Sequence, residues 1–144
     1  MNRIDKAVSL FNEGFNCSQS VFCAFAVDMG VERDVALKTA QSFGGGMAQM
    51  GETCGAVTGA FMAIGLKYGR TRPDDDEAKR RTYALVREFV EKFRARNGSI
   101  ICRELLGCDI GTPEGNRIAK NKELFSTVCP GFVRDAVNIL EEIL

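Results

Sequence analysis

The sequence predicts an all-α fold, a bundle of about six or seven helices forming one helical domain over residues 1–144. Apolar residues recur at three- and four-residue spacing through most of the chain, and alternating apolar–polar runs bounded by hairpin turns are hard to find. Glycines and prolines fall where the periodic stretches stop or start. At 144 residues and 45% apolar content the chain is large enough to bury one continuous core.

The elements follow in order. Ile4, Ala7, Val8 and Phe11 mark a first helix from Arg3, stopped by Gly14. Asn16 is a good N-cap for a second, with Val21, Ala24, Phe25 and Met29 on its apolar face and Gly30 as its end. A shorter helix is expected over Glu32 to Ser42, followed by a flexible loop at Gly44-Gly45-Gly46 and Gly51. Thr53 is placed to cap a helix running to Tyr68, on which Gly55, Ala56, Gly59, Ala60 and Ala63 form a small-residue face open to close approach by another backbone. Pro73 and Asp74-Asp75-Asp76 start a long amphipathic helix carrying Thr82, Val86, Phe89, Val90 and Phe93 on one face and ending at Asn97-Gly98. Ser99 can cap a short turn through Leu106, a further short helix is expected over Glu114 to Leu124, and Pro130 opens a last helix through Val133, Ala136, Val137, Leu140 and Leu144.

Lysine plus arginine and aspartate plus glutamate both count 19, so no net field draws in nucleic acid, and nucleic-acid binding is not expected. The N-terminal segment lacks the apolar run of a signal peptide, which points to the cytoplasm. The uncharged stretch Thr53 to Leu66 falls short of the roughly 18–20 residues a membrane span needs, so no span is expected. Histidine is absent, which removes imidazole acid–base catalysis, any Cys–His nucleophile pair and every zinc site with an imidazole ligand. Six cysteines, at 17, 23, 54, 102, 108 and 129, are then the obvious carriers of chemistry.

Cys17, Cys54, Cys102 and Cys129 each fall at the start of an expected helix. There, unpaired N–H groups and the positive end of the helix dipole favour thiolate over thiol, and thiolate is the species that attacks disulfides or binds metal. Packing as small hydrophobes is the competing explanation for any one of them, and it is the preferred one for Cys23 and Cys108. There is no C-x-x-C pair, so any site must be assembled from different helices.

Cys54-Gly55-Ala56-Val57-Thr58-Gly59 reads C-G-A-x-x-G, with one cysteine well upstream and two well downstream. In this the chain resembles the C_GCAxxG_C_C family, small proteins of about this length assigned a redox role from their cysteines. The resemblance covers nearly the whole chain and selects Cys17, Cys54, Cys102 and Cys129, with Cys108 as the competitor for the third place. It implies a transporter-associated context but no substrate.

Three functions compete. In the leading one, a thiol–disulfide oxidoreductase, Cys54 attacks and Cys17, Cys102 or Cys129 resolves, with an unidentified redox partner. In the second the same four thiolates hold zinc or an iron–sulfur cluster. In the third the chain is a non-catalytic helical adaptor whose cysteines only fill space. A homodimer is compatible with all three. Glu52, the Asp74–Asp76 run, Lys79-Arg80-Arg81, and Met47 with Met50 are weaker candidates, each more simply explained as surface charge or core filling.

Overall fold

In the computed structural model, which describes residues 1–144, the chain forms nine helical segments and a single isolated β-bridge. Side-chain caps fix several helix starts. Asn2 accepts the Asp5 N–H to open α1 (Arg3–Glu13), which Gly14 closes in the left-handed conformation. A reciprocal capping box opens α2 (Cys17–Ala26): the Asn16 side chain accepts the Gln19 N–H, and the Gln19 side chain accepts the Asn16 N–H. Then follow α3 (Arg33–Gln41), α4 (Gly55–Tyr68) and α5 (Asp76–Asn97), the last capped by Asp75. The short α6 (Cys102–Leu106) precedes α7 (Pro113–Asn121), capped by Thr112, the single turn α8 (Leu124–Thr127) and α9 (Cys129–Ile143).

The all-α expectation is met, with more segments than the six or seven expected. The stretch expected as one helix over Glu114 to Leu124 ends at Asn121, because Glu123 adopts φ 55° and restarts the chain as α8. Thr53 is no cap; Cys54 itself occupies that position on α4, and Thr53 pairs with Ile101 in the bridge. Ser99 likewise does not cap α6, whose cap position is Ile101; its hydroxyl takes the Ile101 N–H and donates to Glu104. The segment after α3 is not a loose glycine loop. Gly45, Gly46, Met47, Ala48 and Gln49 all have φ between 48° and 69°, a left-handed turn tied by Ala48 N–H to Ser42 O (2.8 Å) and Glu52 N–H to Gly46 O (2.9 Å).

The centre of the molecule is α2, buried from Ser18 through Ala26. It can be central because α4 meets it with the small-residue face expected from the sequence: a Cβ on Gly59 would lie 2.8 Å from Ser18 O, and one on Gly55 3.1 Å from Ser18 N. On the far side α5 and α9 close the core. Phe89 and Phe93 are fully buried, stack at 5.8 Å between ring centroids, and are flanked by Phe61 and Phe132. Each such ring removed from water stabilises the fold by roughly 1.5–3 kcal/mol. Val133, Ala136, Val137 and Leu140 of α9 complete the same core. Cys102, Ile110 and Ala119 form a separate small cluster beside it. No helix is long and apolar enough to cross a membrane.

Candidate functional site: a cavity lined by four cysteines

The four cysteines singled out in the sequence come together. Cys17, Cys54, Cys102 and Cys129 all line one cavity of about 130 Å³. Each arrives at the start of its helix: Cys17, Cys102 and Cys129 are the first residues of α2, α6 and α9, and Cys54 is the N-cap of α4.

The positioning is local in each case. Asn16, through the capping box and a donated bond from its amide to Gln41 O (3.0 Å), fixes the turn that presents Cys17. The Thr53–Ile101 bridge sets Cys54 beside Cys102: Cys54 N–H donates to Ile100 O at 2.8 Å and Cys102 N–H donates to Glu52 O at 2.6 Å. Thus two cysteines remote in sequence leave the same bridge directly into their helices. Cys129 opens α9 with Pro130 immediately after it. The left-handed turn supplies another part of the wall, next to Cys102, and glycine is required there. A Cβ on Gly46 would lie 2.7 Å from Cys102 Cβ and 2.6 Å from Glu52 N.

Apart from the thiols, the lining is apolar or neutral, with Phe11, Leu105, Leu106, Ile110, Phe125 and Phe132 forming the greasy part and Asn16, Gln49 and glycine backbone the rest. Cys54, Cys102 and Cys129 are 5%, 7% and 7% exposed, and all six cysteines of the chain are free thiols. Burial decides most of their acidities. It pushes the Cys54 thiol up to about 11, against the lowering by the Ala56 and Val57 backbone N–H groups of the α4 start. Cys102 is pushed up to about 12, first by burial and then by the neighbouring cysteine and Asp109 charges. The helix-start argument therefore has the right sign for the amides and the wrong outcome for Cys54, because desolvation outweighs them.

Cys129 is the exception. It is lowered, because hydrogen bonding with the neighbouring Cys17 thiol favours its charged form by more than its own burial disfavours it. The same bond, with burial and the charges of the neighbouring sulfurs, holds Cys17 well above the ordinary thiol range. The two neighbouring thiols are thus shifted in opposite directions, Cys17 up and Cys129 down.

The other candidates lie elsewhere. Cys23 is buried in mid-α2 against a different depression near Asp28 and Arg33, and burial raises its thiol. Cys108 is half-buried in the turn after α6, outside the cavity that Cys102 lines. Glu52 pairs with Arg103 at 3.1 Å on the surface, and Asp75 of the acidic run caps α5. Met47 and Met50 do not line the cavity, and Met50 is 57% exposed. Gly45, Gly46 and Gln49, which do line it, were legible only as a glycine-rich stretch, and the bridge left no signal in the sequence. The four sulfurs are suitable donors for a soft metal, yet no three His, Cys, Asp or Glu side chains are grouped to hold an ion.

No curated protein and no solved structure matches the chain. The family model described as "Putative redox-active protein (C_GCAxxG_C_C)" matches residues 15–143, a span that contains every cysteine of the cavity. With that match over nearly its whole length, the chain belongs to the C_GCAxxG_C_C family.

Proposed function

We propose that this protein is a thiol–disulfide redox protein whose reactive pair is Cys129 and Cys17. The observation that carries the reading is the meeting of Cys17 and Cys129, each the first residue of its helix, in one cavity that two further cysteines line. Cys129 is the nucleophile, since the thiolate is the reactive form and it alone of the four is lowered. Cys17 is the resolving thiol. The role expected of Cys54 from its helix start passes to Cys129, because burial keeps Cys54 protonated. In one turnover the two thiols give up two electrons and two protons to an acceptor and become one disulfide.

Anaerobically reduced protein treated with a mild oxidant, trapped with N-ethylmaleimide and mapped by peptide mass should show a Cys17–Cys129 disulfide with Cys23 and Cys108 alkylated. Six free thiols under every oxidant would end the reading. The metal-holding reading, with zinc or an iron–sulfur cluster on Cys17, Cys54, Cys102 and Cys129, has the donor chemistry in its favour and the present grouping of the side chains against it. One zinc per chain, or a visible chromophore lost in the Cys54→Ser variant, would favour it instead.

A further inference from the structure

The cavity selects by what lines it. Beyond the four thiols none of its lining residues is ionisable. The Asn16 amide is already committed, accepting from Gln19 N and donating to Gln41 O. At about 130 Å³ there is room for a few water-sized molecules, far below the roughly 300–1,000 Å³ of sites that take drug-sized ligands. Because Cys129 is only 7% exposed and lines the cavity, an oxidant must enter the cavity to meet it.

A charged oxidant such as glutathione disulfide would shed the hydration of its carboxylates on entering and find no cation to replace it. It is also too large for the space. A disulfide on a folded protein meets the same obstacle in a stronger form.

Resting on the reading of Cys129 and Cys17 as the reactive pair, we propose that the oxidant this site accepts is a small uncharged hydroperoxide, ROOH, where R is hydrogen or a few carbons. The Cys129 thiolate attacks the terminal oxygen; the O–O bond breaks, an S–O bond forms, and the departing RO⁻ takes the Cys17 proton and leaves as ROH. The Cys17 thiolate then attacks the Cys129 sulfur, the S–O bond breaks, and hydroxide leaves as the disulfide closes. The two sulfurs lose two electrons, and the peroxide oxygens gain them.

The test uses the intact reduced chain under anaerobic conditions. Second-order rates of Cys17–Cys129 disulfide formation are measured with hydrogen peroxide and with glutathione disulfide, and the same two rates with dithiothreitol as a thiol free of any cavity. The preference of the protein for hydrogen peroxide over glutathione disulfide should exceed that of dithiothreitol by at least ~100-fold. A preference equal to or below that of dithiothreitol overturns the inference, while the disulfide that forms leaves the reactive pair standing. If neither oxidant closes the Cys17–Cys129 bond, the inference falls together with the reading on which it rests.

Discussion

Cys129 and Cys17 show how little separates a buried thiol whose acidity is raised from one whose acidity is lowered. Both sit at the first position of a helix and both line the same apolar cavity. What distinguishes them is the sign of the shift that their mutual contact and burial produce, up for Cys17 and down for Cys129. In a pH series of iodoacetamide alkylation read by peptide mass, Cys129 should react at the lowest pH of the cavity cysteines, with Cys54 and Cys102 following only toward about 11 and about 12. Removing the neighbouring thiol with Cys17→Ala should slow Cys129 alkylation at neutral pH by about two- to tenfold, on the order of one hydrogen bond to the thiolate. An unchanged rate would show that the Cys17 proton does not matter to Cys129. At this scale the sequence was informative about identity and silent about acidity. The four helix-start positions were read from Asn16, Thr53, Ser99 and Pro130, although Thr53 and Ser99 are not the caps of α4 and α6. The burial that reverses the expected effect at Cys54 depends on what the other helices bring, which no local pattern encodes.

Among elements, the contact that sets the site is α2 against α4. Gly55 and Gly59 let the two backbones approach, and Cys17 and Cys54 sit at the cavity ends of the same two helices. Gly59→Ala would put a methyl 2.8 Å from Ser18 O, so the helices must separate or bend. A stability loss of ~1–3 kcal/mol is expected from the overpacking, in spite of the better helix propensity of alanine. The midpoint of urea unfolding measures it, and an unmoved midpoint would mean that α2 and α4 can part without cost. The close helix pair was readable as a stripe of small residues, since spacing and residue size are local properties. The Thr53–Ile101 bridge was not, because a single residue pair between distant segments has no period to detect. The left-handed turn was half readable: three glycines announced unusual backbone, whereas Met47, Ala48 and Gln49 gave no sign that they share it.

For the whole molecule, the buried thiols couple stability to pH and to redox state. Cys54 and Cys102 hold their protons more tightly folded than unfolded, so their contribution is fully present below the ordinary thiol range near 9 and is lost as pH rises through about 11 and about 12. Cys129, being lowered, acts in the opposite sense and offsets part of this. For Cys54, almost completely buried, the loss is on the order of 2–3 kcal/mol. Urea midpoints at pH 7, 9 and 11 should therefore fall over the last interval, and a flat profile would contradict the burial of these thiols. Oxidation works through the unfolded chain. The proposed Cys17–Cys129 disulfide would tie α2 to α9 near the two ends of the sequence, and a loop of about 100 residues is worth about 4–5 kcal/mol in the chain-entropy description. Unfolding of the oxidised protein against a reduced sample should show a gain of that order, and no gain would mean the bridge strains the native helices. The overall class followed from periodicity, while the meeting of four helix starts in one place is a property of topology and became visible only in the fold.

The left-handed turn over residues 45–49 bears on how anything reaches the sulfurs. Met47, Ala48 and Gln49 each carry a side chain in a conformation that costs roughly 1–2 kcal/mol apiece, so this wall has several kcal/mol to gain by letting go. Local opening should begin there while α2 and α4 stay intact. In native-state hydrogen exchange, the Ala48, Gln49 and Glu52 amides, although bonded to Ser42, Gly44 and Gly46, should exchange well before those of α2, making this segment a hinged door on an otherwise rigid box.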